Sequence, residues 1–367
     1  MANKGQTMSG YDLFMLIPTL LLLTLGLVAI YSASSFVAAD KMNDSYFFLK
    51  KQAVFCLLGI FVMVLAKNIP PKFYRALTYP LLLISFILLV LLLIPGLGTT
   101  VGGACRWLRL AGFSLQPSEF AKLSLAIYMA YSMAKKGKEM SSFSKGFLPH
   151  LIIIGGFVIL IMLQPDLGTT IIIAGWLFIM LFVGGLNPLY LLATVMLSIP
   201  AIGWLIFKAN YRLNRWIAFL NPWDDPQGLG FQIIHSFLAI GSGGVFGVGL
   251  GNSMQKLHYL PEPHTDFILS ILAEEFGFLG LSAVVILFSI LILRGIIIAL
   301  EARDLFSSYL AMGIITFFSL QVLVNMGVVL GLLPTKGLTL PLISYGGSSL
   351  LMNLFGIGIL MSISARR

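Results

Sequence analysis

Charged side chains are scarce in this sequence: Lys, Arg, Asp and Glu make up 10% of 367 residues. A soluble domain carries roughly 25%, so the shortage excludes a water-facing surface over most of the chain. Cysteine and histidine are scarcer still, at two and four residues. Cys56 lies inside an apolar run and Cys105 in a loop, which gives neither a disulfide framework nor a metal-ligand spacing. The glycine run GSGGVFGVGLG at 241–251 lacks the spacings of both common nucleotide loops. Close packing against helices or lipid is the use it suits. No internal repeat is visible, which disfavours transporter folds built from inverted repeats. No nucleic-acid partner and no organic cofactor are expected.

What the chain has in abundance is apolar length. Hydrophobic residues make up 58% and the mean hydropathy is +0.97. Ten apolar runs recur, near 11–33, 46–66, 76–95, 117–134, 147–164, 168–185, 188–208, 267–293, 306–332 and 346–364. Runs of about 17–25 residues cross roughly 30 Å of hydrocarbon. The eighth has room to continue past 293 towards Leu300. Helices satisfy their own backbone groups in lipid, so the expected fold is an all-α polytopic membrane protein of about ten transmembrane helices. It is read as one transmembrane domain, 1–367. YSASSFVAAD, at the end of the first run, looks like a small-residue cleavage site. The run before it exceeds the 7–15 residues of a secretory signal, so an uncleaved anchor is the reading.

Orientation rests on Lys and Arg. With the N-terminus inside, inner segments hold twelve and outer loops ten, a weak asymmetry. The short basic loops 67–75 and 135–145 favour the N-terminus inside, and ten crossings then put the C-terminus inside as well. So many cations outside suggest a surface for an anion such as a pyrophosphate. The extracytoplasmic loop 209–265, between helices seven and eight, is the longest extramembrane segment. It is interrupted by Pro222, Pro226, Pro261, Pro263 and eight glycines. FQIIHSFLAI within it is apolar enough to dip into the membrane as a short helix, and such loops are more often functional than disordered.

Ionisable groups at membrane depth usually mark function. Glu119 and Lys122 stand three apart on one helix face, close enough to pair. Their pairing has two readings, a packing ion pair or a functional cavity pair. Asp166, between Pro165 and Gly168, reads as an N-cap for the sixth span. Asp266 opens the eighth span with Lys256, Glu262 and His264 at the same mouth, and Thr265 is the more natural cap. Glu274 and Glu275 lie about 100° apart on a helix, so they cannot share a direction, and one is expected to meet a buried cation. Outer loops add Arg106, Trp107 and Arg109, then Arg212 and Arg215, then Lys336, Ser344, Tyr345, Ser348 and Ser349. This set suits a lipid-linked substrate with an anionic head group and a carboxylate for proton transfer.

The stretches QPSEFAKL, QPDLGT, FLNPWDDPQGLGFQ, AIGSGGVFGVGLG, QKLHYLPEPHTDFI and LPTKGLTLPLISYGGSSL resemble the SEDS proteins of bacterial cell-wall synthesis, from the first span to the last. The last stretch is more similar to the division branch than to the elongation branch, and sporulation members are similar to it too. The resemblance implies a ten-helix peptidoglycan glycosyltransferase that polymerises lipid II at the outer face of the cytoplasmic membrane, at the division septum. It also implies a class B penicillin-binding transpeptidase and other divisome membrane proteins as partners. The family's essential Asp in H-T-D-F falls on Asp266, its Q-P-S-E-x-x-K pair on Glu119 and Lys122, and its loop Arg in G-A-x-R-W on Arg106. Cys105 and His235 depart from the family pattern.

The donor sugar of lipid II is α-linked to pyrophosphate and the polymer is β-1,4-linked, so the anomeric carbon inverts. Direct displacement fits, with Asp266 taking the proton from the acceptor 4-hydroxyl. Undecaprenyl pyrophosphate would leave against Arg106, Arg109, Arg212, Arg215, Lys256 or Lys336, with a divalent cation, magnesium or manganese, as a further expectation. Glu274 and Glu275 are expected to organise the cavity behind Asp266. A lipid II flippase is the alternative reading, and it would spread polar groups through the membrane depth.

Overall fold

A computed structural model describes residues 7–8, 10–101, 104–110, 113–207, 210–256, 264–335 and 337–367. Among these residues the principal helices are α1 Leu13–Met42, α2 Phe47–Asn68, α4 Thr78–Leu91 after the short α3 Pro71–Ala76, α5 Pro117–Lys136, α6 Leu148–Leu163, α7 Leu167–Val183, α8 Pro188–Phe207, α11 Ile268–Leu300, α12 Leu305–Val329 and α13 Gly347–Ser364. Each falls on one of the ten apolar runs. Between α8 and α11 lie α9 Asn210–Leu220 and α10 Phe231–Gly243, and α10 is the short apolar helix expected in the long loop. Six helical stretches are long and apolar enough to cross a membrane. The chain is a polytopic helical membrane protein.

Helix α5 falls outside those six and is the most enclosed. Ala121, Leu125, Ala126, Ile127, Met129, Ala130 and Met133 are fully buried, and Glu119 and Lys122 nearly so. It packs against α4 and α12. Neighbouring helices, not lipid, therefore solvate its charges. Helices α2 and α13 approach closely because Gly358 lies against the Met63 carbonyl, where a Cβ would overlap it. Small residues permit such approach where lipid supplies no hydrophobic drive.

Two elements differ from the sequence reading. Helix α1 continues to Met42, well past 33, and the small residues Ser32, Ala33 and Ser34 are buried within it. Between α4 and α5 the described residues form an antiparallel sheet, β3 Gly98–Val101, β4 Ala104–Leu110 and β5 Phe113–Leu115, in the order β3-β4-β5. A smaller pair, β1 Thr7–Met8 and β2 Tyr11–Asp12, precedes α1.

Helix α11 does reach Leu300, but it is broken at Gly277, whose φ is 66° and ψ −163°. The glycine-rich segment after α10 repairs the break. Phe278 and Leu279 donate to the Gly244 and Val245 carbonyls at 2.9 and 3.2 Å, and Val248 and Gly249 donate to those of Glu274 and Glu275 at 3.0 and 3.1 Å. A Cβ at Gly247 would overlap the Glu275 carbonyl oxygen. The glycine run is thus a backbone seam, the close packing expected of it.

One end of the bundle carries both described chain ends. There Asp12 accepts hydrogen bonds from Arg294 Nε at 2.9 and 3.1 Å and from Ser364 Oγ at 2.7 Å. Burial works to raise the Asp12 pKa, but the bonds and charges of Arg294, Ser364 and Arg367 hold it below the ordinary value. The opposite end carries the sheet and the described residues of the long loop and of the segment 330–346.

Candidate active site

Residues 264–267 form the turn that delivers the chain into α11. Three successive carbonyls of this turn are held. His264 O accepts from Tyr345 N at 3.0 Å, Thr265 O from Ser344 Oγ at 2.6 Å, and Asp266 O from Asn325 Nδ2 at 3.1 Å. His264 is buried between rings, its centroid 4.5 Å from that of Phe48 and 5.7 Å from that of Tyr345. Asp266 itself is partly exposed. The loop after α12 lies against it, since a Cβ on Gly337 would sit 3.3 Å from Asp266 Oδ2. Burial pushes the Tyr345 phenol up, so it stays protonated near neutral pH.

Ser344 and Ser348, both candidates for substrate contact, shape the mouth. Ser344 Oγ also accepts from Leu340 N at 2.8 Å. Ser348 Oγ donates to Ser114 O at 2.9 Å and accepts from Gln116 N at 3.1 Å, joining α13 to β5 and the start of α5. In β4, side chains alternate between faces. Arg106 turns inwards and donates to Pro165 O at 2.7 Å, with Asp166 Oδ2 3.7 Å from its Nε, while Arg109 is exposed. Asp166 caps α7, accepting from Thr169 N at 3.2 Å and Thr169 Oγ1 at 2.8 Å, as the sequence suggests. Arg215 on α9 is exposed and donates to Thr335 O at 3.4 Å. The Arg212 side chain, Lys336 and Glu262 lie outside the described residues.

The expected pair of α5 is present: Lys122 Nζ is 2.8 Å from Glu119 Oε1, and both side chains are buried. It lines a cavity of about 40 Å³ with Gln321 and Asn353, room for a few waters. Glu274 and Glu275 point apart, as their spacing requires. Glu274 accepts from Ser253 Oγ and, at 3.1 Å, from Met254 N. Glu275 accepts from Ser32 Oγ and from Lys256 Nζ at 3.1 Å. Lys256 is thus the buried cation anticipated for one of them, and the structure joins it to α1 and α11. Together the two carboxylates clamp residues 253–256, the segment that leads towards the 264–267 turn. His235 Nδ1 lies 2.7 Å from Gln255 Oε1, an interaction within the long loop.

Two polar side chains at this end escaped the sequence reading. Gln52 on α2 donates to Ser344 O and accepts from Gly346 N, each at 3.3 Å, and Asn325 on α12 holds the turn. Their signal was a neutral amide inside an apolar run, quieter than a charge but costly in lipid all the same. Among the described residues no group of three His, Cys, Asp or Glu is placed to hold a metal ion.

The family model for FtsW, RodA and SpoVE, described as a cell cycle protein, matches residues 12–367. The chain belongs to the FtsW/RodA/SpoVE family. It is 47% identical over 356 residues to "Probable peptidoglycan glycosyltransferase FtsW" of Geobacter metallireducens, covering 97% of this chain and 95% of that one. It is 46% identical over 353 residues to "Stage V sporulation protein E" of Bacillus subtilis, covering 96% of each. Among solved structures it resembles a chain of a peptidoglycan synthase complex that coordinates polymerization and crosslinking, with a TM-score of 0.81, 31% identity and 98% of both chains covered. It also resembles the rod shape determining protein RodA of Thermus thermophilus, with a TM-score of 0.73, 30% identity and 98% of both chains covered. Within the family this chain is therefore nearer in sequence to those FtsW- and sporulation-named relatives than to that RodA.

Proposed function

We propose that this member of the FtsW/RodA/SpoVE family is a peptidoglycan glycosyltransferase, polymerising lipid II into β-1,4 glycan for septal wall synthesis. The observation that carries the reading is the presentation of Asp266. Asp266 is half-buried on a turn whose carbonyls are held one after another, at the end of the bundle that also carries Arg106, Arg109 and Arg215.

The chemistry follows from that presentation. Asp266 accepts the proton of the acceptor 4-hydroxyl as its oxygen forms a bond to the donor's anomeric carbon. The bond from that carbon to pyrophosphate breaks, the configuration inverts, and undecaprenyl pyrophosphate departs. A positioned base contributes on the order of 10²–10⁴ in rate. The departing pyrophosphate gathers negative charge, which fixed cations at the mouth stabilise. A divalent ion, magnesium or manganese, would be held chiefly by the substrate's own phosphates, which needs no protein cage and no ligand role for the base Asp266. Bound there, it would neutralise charge on the leaving group.

The mouth faces the outside of the cytoplasmic membrane, with both chain ends inside, and a class B penicillin-binding transpeptidase and further divisome membrane proteins complete the assembly at the septum. The likeness to a chain of a polymerising and crosslinking complex supports such a partner. A flippase reading draws on the buried charges of Glu119 and Lys122 and on the cavity they line. That cavity holds about 40 Å³, small beside the roughly 300–1,000 Å³ of a pocket for a drug-sized ligand.

The test is polymer formation from labelled lipid II in detergent, where flipping is irrelevant, with the cognate transpeptidase present or omitted. Polymer from the complex, and little from the chain alone, is expected. No polymer from the complex, with divalent metal supplied, would move the assignment to the flippase.

A further inference from the structure

Asn325 sits near the end of α12, 2% exposed. Its amide nitrogen has two protons and places both: one on Asp266 O at 3.1 Å, the other on Leu338 O at 2.6 Å. Two carbonyls on one atom fix the amide's orientation, because turning it over would set its oxygen against both. The oxygen that remains, Oδ1, is buried and has no hydrogen-bond partner among the described residues. A group kept only to tie two segments together is normally satisfied at both ends. Here the donors are placed and the acceptor is left, the kind of local cost that proteins retain at functional sites.

The two carbonyls belong to the two walls of the mouth. One wall is the 264–267 turn carrying Asp266. The other is the loop after α12, where Gly337 faces the Asp266 carboxylate. Tyr345 N and Ser344 Oγ hold His264 and Thr265, but the bond to the carbonyl of Asp266 itself comes from Asn325 on a different helix. The position of a carbonyl fixes its own Cα, and through it the direction of the side chain.

We propose that Asn325 is a positioning residue, setting the distance between the Asp266 carboxylate and the 337–340 loop across which the substrate must lie. The proposal rests on Asp266 being the base. Without the amide, the turn and the loop separate by a fraction of an ångström to an ångström, and misplacement of that order costs up to about a hundredfold in rate.

The test measures steady-state glycan synthesis from lipid II by the complex with its transpeptidase, for Asn325→Ala, Asn325→Gln, Asp266→Asn and the Asn325→Ala/Asp266→Asn double variant. Thermal unfolding in detergent is followed in parallel. Asn325→Ala should lower kcat by about ten- to a hundredfold with KM unchanged, and Asn325→Gln, which keeps the donor on a longer arm, should recover part of that loss. In the Asp266→Asn background the Asn325→Ala change should do nothing further, since both act on one group. A wild-type kcat in folded Asn325→Ala overturns the proposal, as does a loss that only follows the fraction of protein unfolded. If Asn325→Ala does not fold, Asn325→Gln carries the same two criteria: reduced kcat at constant KM supports the proposal and wild-type kcat overturns it. Near wild-type activity in Asp266→Asn alone removes the base reading and this proposal with it, and that arm reports on the base separately.

Discussion

The two ends of the bundle each place an aspartate just before a helix, and they hold it in different ways. Asp12, before α1, is buried, and its oxygens take hydrogen bonds from Arg294 and Ser364. Asp266, before α11, is partly exposed, and the protein fixes the backbone beneath it through Tyr345, Ser344 and Asn325. A carboxylate enclosed by cations stabilises the fold. A half-buried aspartate on a fixed backbone is instead held in place at the mouth. The same contrast sorts the helix that follows. Glu274 and Glu275 are enclosed like Asp12, whereas Asp266, the third acidic residue at the head of α11, is only half-buried.

The largest expected effect on stability tests whether Lys256 belongs with the enclosed groups. Lys256→Met leaves Glu275 buried without its cation, and removing one partner of a buried pair costs about 3–5 kcal/mol. The thermal transition of the detergent-solubilised protein should fall steeply, and adding Glu275→Gln should restore most of it. Polymer formation should return with the fold. A double variant that is stable yet inactive would instead assign Lys256 to the substrate.

A smaller effect is expected at the other end. Asp12→Ala removes hydrogen bonds to charged groups worth about 1.5–3 kcal/mol. Its folded-state carboxyl titrates below the ordinary value of 3.8, so its contribution is complete above that value. The contribution is lost as the pH falls through the depressed one. Wild-type and Asp12→Ala unfolding curves should therefore differ at neutral pH and converge in acid. Curves that stay parallel to the lowest pH would show that Asp12 does not act through its charge.

The apolar runs were legible because lipid makes uninterrupted hydrophobic length the main structural signal. The Asp166 cap was legible because proline, a carboxylate and threonine stand together in Q-P-D-L-G-T. The 98–115 sheet was not, because its strands of four, seven and three residues are too short and too rich in flanking glycine to show a period. The break in α11 was hidden as well: one glycine inside an apolar run is common, and its partner seam lies about 30 residues upstream at Gly244 and Val245. At the site, the ionisable residues stood out singly, and of their partners only near neighbours did, as Lys122 for Glu119. Glu275 meets Ser32 across 243 positions and Asn325 meets Asp266 across 59, distances over which a single sequence carries no pairing signal.

The most direct measurement sets the two aspartates side by side, with Asp266→Asn and Asp12→Asn in the same complex with the transpeptidase. Each is assayed for thermal stability, lipid II binding and glycan formation from labelled lipid II in detergent. Asp266→Asn should unfold and bind as the wild type does while losing on the order of 10²–10⁴ in polymerisation rate. Asp12→Asn should unfold at a lower temperature and polymerise at the wild-type rate per folded molecule. Near wild-type polymer from the Asp266→Asn complex would contradict the assignment of Asp266 as the base.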